Sequence, residues 1–304
     1  MNEDRVKSEG GKGNFNEHCS LLTVYSEVTL SYHFPFLFPL TLFFPVLPVY
    51  IILGASGSGR REILANLTAD GIDGPATCFI SEEEAPSDWD ESLYGQSCAT
   101  VLTWRHEGNR NICSEPIPSD AELVFFLTDG KANPVDQLEA LQVWIEENSL
   151  AVGRILTVVD CLLIHIQPKT RPWYDACIHF TDLVLLNRRN GIPGGWIREF
   201  TGHYEKACYP CLFENVRKGR LSNPAEALYP EARRLSLIFD DLDASSVGEI
   251  GGMEDVSKLS ALDDDDASSG SDIYLETLPT GRRAKPIPDI REFLGKEKGG
   301  SVVQ

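Results

Sequence analysis

Apolar positions along this chain fall into short, nearly unbroken runs, and between them lie stretches where apolar residues recur every three or four positions. The runs at 49–53, 122–127, 154–160 and 182–187 are dominated by Val, Ile, Leu and Phe, the pattern of strands covered on both faces. Shorter runs at 77–80, 99–104 and 209–213 add further strands. Helical spacing appears over about 61–69, where Ile63, Leu64 and Leu67 share a face, and after Asn133 and Pro134, where Leu138, Leu141 and Ile145 do the same. Asn133 suits an N-cap and Pro134 a first turn. Two more helices are expected at about 171–180 and 194–204, an acidic loop at 81–92, and a polar, Pro-containing connection between the 99–104 and 122–127 strands. Strands alternating with helices predict βαβ units, so the expected fold class is α/β with a doubly wound, mostly parallel sheet.

Both ends depart from this pattern. Residues 30–58 contain no Asp, Glu, Lys or Arg, which is long enough to raise a transmembrane span. Pro35, Pro39, Pro45 and Pro48 interrupt helical hydrogen bonding there, and the run ends by becoming the first core strand. Some thirty mixed-charge residues precede it and no small-residue cleavage site follows, which argues against a secretory leader. Residues 1–48 are therefore expected to form an irregular apolar, Pro-rich extension outside the fold, as a start codon set too far upstream would produce. A membrane anchor is the alternative that hydropathy leaves open. From Asp240 onward, Asp263-Asp264-Asp265-Asp266, Ser/Gly clusters and few aromatics predict a disordered acidic tail over 240–304. Its weakly basic stretch at 281–285 is expected to fold back on the acidic run. One domain, 49–239, remains.

The formal charge of −19 argues against a nucleic-acid or anionic-membrane surface. Eight cysteines, at 19, 78, 98, 113, 161, 177, 208 and 211, are scattered rather than dense, so reduced thiols in a cytoplasm are expected.

The candidate chemistry lies where the first strand turns into the first helix. Gly54-Ala55-Ser56-Gly57-Ser58-Gly59-Arg60-Arg61 has the glycine spacing of G-x-x-x-x-G-K-[ST], in which backbone N–H groups close around phosphate, Lys reaches the β/γ-phosphates and Ser/Thr holds Mg²⁺. Here Arg60 stands for Lys and Arg61 for Ser/Thr. The same glycines would equally permit tight strand–helix packing with no ligand. The fold class thus sharpens to a P-loop NTPase type, and 49–239 to a nucleotide-binding domain.

Three further segments follow the loop in order: Leu127-Thr128-Asp129-Gly130-Lys131-Ala132-Asn133-Pro134, Thr157-Val158-Val159-Asp160-Cys161, and Phe180 to Asn190, which contains Leu186-Asn187-Arg188-Arg189-Asn190. With the loop, these resemble the nucleotide-binding domain of the CobW/HypB/UreG family of P-loop metal-chaperone GTPases, being similar to its E-[ST]-[ST]-G-x-A-[DN]-P, V-V-D-[AC] and N-K-x-D segments. The resemblance covers about Val49 to Phe213. It implies GTP or another nucleotide as cofactor, a metalloprotein client as partner, and binding residues at Gly54, Ser56, Gly57, Ser58, Gly59, Arg60, Arg61, Asn187, Arg188 and Asn190.

Departures from the family pattern fall on its chemistry. Arg60 can donate to phosphate as a planar fork, but Arg61 cannot ligate a cation, so Mg²⁺ is expected to be absent or held in a non-standard way. Leu127 replaces the family's Glu; Asp129, two residues on, is the substitute catalytic carboxylate, or else a turn residue beside Gly130. Asn190 replaces the Asp that reads guanine and offers one acceptor oxygen and an unwanted NH₂, so guanine selectivity should weaken. Only isolated Cys98 and Cys113 stand where the family's G-C-x-C-C would fall, and the pair Cys208 and Cys211 with His203 upstream suits two core thiols flanking a turn better than a metal site. The acidic tail stands where the family's small C-terminal domain would begin, so that domain is not expected over 240–304. Two functions remain: a divergent nucleotide-binding protein with hydrolysis weak or lost, and a pseudo-GTPase scaffold that binds no nucleotide.

Overall fold

The computed structural model describes residues 46–84, 86–108, 111–240 and 272–294. The chain divides into Met1–Phe44 and Pro45–Gln304, and everything described here belongs to the second unit. The expectations for residues 1–45 and 241–271 lie outside the described residues.

The sheet has eight strands in the order β4-β3-β2-β5-β1-β6-β7-β8. These are β1 Leu47–Gly54, β2 Ala76–Ser81, β3 Ala99–Glu107, β4 Asn111–Ser114, β5 Leu123–Leu127, β6 Leu150–Asp160, β7 Leu183–Asn187 and β8 Leu212–Asn215. Every pairing is parallel except β3 with β4. The α/β class and the doubly wound, mostly parallel sheet therefore stand as the apolar runs implied.

Alternation along β1 shows why both faces are apolar. Val49, Ile51 and Leu53 enter one core with the helices α3 Pro134–Glu147, α5 Arg171–His179 and α6 Gly194–Lys206. Tyr50 and Ile52 enter the other with α1 Arg60–Asp70, α2 Asp88–Tyr94 and α7 Pro224–Ala227. A short helix, α4 Cys161–Ile166, follows β6 directly. Pairing of β1 with β6 skips Gly153 between Val49 and Tyr50. A Cβ at Gly153 would lie 3.0 Å from the Tyr50 ring, whose hydroxyl donates to the carbonyl of Leu228 at 2.8 Å.

Four expectations need correction. Leu47 and Pro48 belong to β1 rather than to the extension. Pro48, which has no N–H to give, is accommodated because β5 starts pairing only at Val49. The acidic loop at 81–92 contains α2, started by a capping box in which Ser87 and Asp90 satisfy each other's backbone N–H groups. The polar connection after β3 contains β4, a four-residue edge strand. The last strand starts at Leu212 and not Tyr209: Cys208 turns the chain at φ 55°, and Pro210 cannot donate to a ladder.

The tail is also more structured than its composition suggests, because residues 272–294 return to the domain. Tyr274 and Ile290 are each 1% exposed within the larger core. Among the described residues the basic stretch meets the domain: Arg283 donates to Asp136 at 2.5 Å and Glu139 at 2.8 Å on α3, and the Lys285 ammonium lies 4.2 Å from the centre of the Tyr274 ring. His179 on α5 meets Asp272 at 2.9 Å.

Burial pushes the Asp272 carboxyl up, but hydrogen bonds from His179, Ser236 and the Tyr274 N–H outweigh it and hold the group at about 2. An unfolded Asp titrates near 3.9, so this contact contributes fully above about pH 4 and is lost as pH falls through about 2. The backbone amide resonance of Tyr274, followed by NMR, should titrate with a midpoint near 2. A midpoint near 4 would show that these donors do not hold Asp272.

Candidate phosphate-binding site

Because the strands are parallel, the carboxyl ends of β1, β2, β5, β6 and β7 lie on one edge of the sheet, where open α/β sheets bind ligands. That edge gathers the loop at 54–59, Glu84, Asp129 and Gly130, Asp160, and Asn187 to Asn190.

The loop leaves β1 at Gly54 (φ 137°), passes Gly57 (φ 80°) and reaches Gly59 (φ 96°). Gly59 is the N-cap of α1 in a left-handed conformation, with no side-chain capping bond. A Cβ there would fall 2.4 Å from Asn187 Nδ2. Asn187, 6% exposed at the end of β7, donates through Nδ2 to the carbonyl of Ser58 at 2.9 Å, tying two of the expected site segments together. Ser58 is fully buried, and its Oγ has no hydrogen-bond partner. Within the loop, Ser58 N–H donates to Ala55 O at 3.0 Å, and Ser56 N–H donates to Gly130 O at 2.9 Å.

Both arginines are buried and engaged by acids. Arg60, 3% exposed, donates its guanidinium to the carbonyl of Thr128 and to Glu84 Oε1. Glu84 also accepts the Gly130 N–H at 2.7 Å and lies 3.7 Å from Arg61. Burial pushes the Glu84 carboxyl up, but Arg60 beside it, the Gly130 N–H and Arg61 bring it below the usual glutamate range. Arg61 turns toward α2, where Nη1 meets both Asp90 carboxylate oxygens at 2.6 and 2.7 Å.

Asp129, 8% exposed, accepts the Lys131 N–H at 2.9 Å in a turn closed by its own side chain. Gln137 brackets its backbone, accepting from Asp129 N–H at 2.6 Å and donating to Asp129 O at 2.9 Å. Burial pushes the Asp129 carboxyl up. The group faces a cavity of about 480 Å³ shared with Glu83, Lys131, Trp173, Ile287 and Arg291, so the returning tail supplies one wall.

On the β7 side, Arg188 sits at φ 51°, half exposed, with Nη1 3.4 Å from Asp160 Oδ2. Asp160 caps α4 by accepting from Leu163 N–H at 2.9 Å, and burial pushes its carboxyl up. Asn190 is exposed in the turn before Gly191. Cys211 is buried, with its thiol pushed up to about 12 by burial, while Cys208 is exposed.

The loop, Asn187 and, through Gly130, Asp129 thus come together; Arg188 pairs with Asp160 at the end of β6, and Asn190 is exposed. Sequence reasoning passed over Glu84, Thr128, Gln137 and Asp160 as site residues. Glu84 is one of three consecutive glutamates, and nothing in the chain distinguishes it from Glu82 and Glu83, both exposed. Its burial arises only where the turn after β2 meets the 128–130 turn.

The loop fits phosphate in three respects: open space around exposed Gly57, the unpartnered Ser58 Oγ, and an α1 N-terminus whose first N–H groups have no side-chain cap. A divalent cation fits less well, since Arg61 occupies the hydroxyl position, and among the described residues no group of three His, Cys, Asp or Glu is placed to hold a metal. Among the described residues no helix is long and apolar enough to cross a membrane.

Strand order and loop together define an α/β protein with a mostly parallel, doubly wound sheet and a glycine-rich turn between β1 and α1. No protein-family pattern matches the chain, and no curated protein matches it in sequence. Among solved structures it is similar to the Zn(II)-bound YjiA GTPase from E. coli, with TM-score 0.34 and 12% identity over 62% of this chain and 66% of that one. A Zn(II)-bound triple mutant of YjiA GTPase gives TM-score 0.34 and 13% identity over the same shares. The match spans less than two thirds of those chains' length.

Proposed function

We propose that this protein binds a nucleotide at the 54–61 loop and hydrolyses it slowly or not at all, as a divergent relative of the CobW/HypB/UreG GTPases. The observation that carries the reading is the Asn187 to Ser58 hydrogen bond, which couples the expected base-reading element to the expected phosphate loop through a buried contact between residues 129 positions apart. In this reading the backbone around Gly57 to Gly59 and the α1 N-terminus hold phosphate, with Arg60 beside them. Arg188 stacks on the base, and Asn190 reads its edge with reduced preference for guanine.

Weak hydrolysis follows from the side chains. Arg61 provides no hydroxyl for Mg²⁺ and is committed to Asp90. Asp129 is engaged in its own turn, accepting the Lys131 N–H, so its carboxylate is not free to organise water or metal. A cytoplasmic location, from the scattered cysteines, and a metalloprotein client, from the family resemblance, belong to the same proposal.

The second reading, a scaffold without nucleotide, is favoured by the internal pairing of Arg60, Arg61 and the Ser56 N–H. Titration calorimetry of the full chain with GTP, GDP and ATP separates the two. Nucleotide binding predicts saturation, a change below about threefold when Mg²⁺ is removed, and less than about tenfold discrimination between guanine and adenine. Absence of heat with all three from folded protein would select the scaffold. A loss above tenfold without Mg²⁺ would reject the metal-independent cradle.

A further inference from the structure

Beside the candidate phosphate loop, at the start of α1, the chain supplies an anion of its own. Glu84 enters from the turn after β2 with a side chain only 6% exposed. Its Oε1 receives the Arg60 guanidinium and the Gly130 N–H, the latter at 2.7 Å, while Oε2 lies 3.7 Å from Arg61. Arg60 occupies the position from which a P-loop lysine reaches the β- and γ-phosphates. A carboxylate that takes a guanidinium N–H and a backbone N–H there uses the donors a terminal phosphate would use.

Both arginines are paired without any ligand, and Asp129 is a further buried acid within electrostatic reach of Arg60 and Glu84. Arg60 and Arg61 face Glu84 and Asp90, two cations against two carboxylates. The backbone N–H groups nearer Gly57 are not part of this cluster. A phosphate chain running from Gly57 toward Arg60 would therefore find its inner phosphates accommodated and its outermost one facing a buried carboxylate. Like charges at such range repel strongly in a site with little water.

Resting on the nucleotide-binding reading above, we infer that Glu84 is a built-in substitute for a terminal phosphate, so that the loop selects a nucleoside diphosphate over the corresponding triphosphate. Glu84 is thereby the specificity-determining residue of the site. Glu84→Gln keeps the shape and an acceptor for the Gly130 N–H while removing the charge.

The test is calorimetric titration of the full chain and of its Glu84→Gln variant with GDP and GTP, both without Mg²⁺. The unaltered protein should bind GDP at least about tenfold tighter than GTP. In the variant, GTP affinity should rise about tenfold or more, with GDP changing less than threefold. Equal affinities, or a preference for GTP, in the unaltered protein would overturn the inference without recourse to the variant. A GDP-to-GTP ratio that stays the same in a folded variant would also overturn it. Failure of the unaltered protein to bind either nucleotide would overturn the proposed function itself, and the inference with it; binding without discrimination would overturn the inference alone.

Discussion

Replacing Asp182 with alanine should lower the folding free energy by roughly 3–5 kcal/mol, the cost of breaking a buried, hydrogen-bonded charge pair. Asp182 is fully buried just before β7. One carboxylate oxygen accepts the Ile155 N–H of β6 at 2.7 Å, and the other accepts the Arg233 N–H at 2.5 Å. Both lie within 3.2 Å of Arg234 Nη1. One side chain therefore joins β6, the entry to β7 and the segment that follows α7. Arg234 keeps Asp240 as a partner in the variant, which softens the loss on the cation side. The two backbone N–H groups have no such substitute, and each buried donor left unmatched costs about 1–3 kcal/mol. For a domain of this size that is a fall in Tm of roughly 6–20 °C. Chemical denaturation measures it directly, and a loss below 1 kcal/mol would mean that water replaces the carboxylate.

Gly130→Ala should remove nucleotide binding, by about a hundredfold or more. The added Cβ would meet Ser56 N at 2.2 Å, Arg60 Nη2 at 2.3 Å and Ala55 C at 2.7 Å. Two of those atoms are backbone, so the loop itself has to move. Movement breaks the Ser56 N–H bond to Gly130 O and the Gly130 N–H bond to Glu84 together. Stability should fall by roughly 1–3 kcal/mol, as for other overpacked interiors. Affinity within threefold of the unaltered protein would show that Gly130 does not set the loop's position.

The central sheet was legible because β1, β5, β6 and β7 are buried on both faces and carry almost unbroken apolar sequence. Its edges were not. Asn111-Ile112-Cys113-Ser114 is too short and polar to show alternation, and it is a strand only because β3 offers a free edge. Ser87 and Asp90 did carry a helix-start signal, which the surrounding acidity obscured. Composition beyond Asp240 concealed Tyr274 and Ile290, two apolar anchors in a polar context that help dock 272–294 together with Arg283 and Asp272. For the site, chain order grouped the glycine loop with Asn187, and the structure places them in contact. The role of Glu84 depends on where a turn brings one of three identical neighbours, which periodicity cannot express.

The cavity beside Asp129 is assembled from parts made far apart in time. A ribosome adds about 5–20 residues per second, so roughly 8–30 s separate the appearance of Gly130 from that of Ile287. Arg60 and Glu84 are both made before that interval begins, whereas the wall at 287–291 comes at its end, so until then the groove is unfinished. A message truncated before Ile287 would yield a protein with that same unfinished groove.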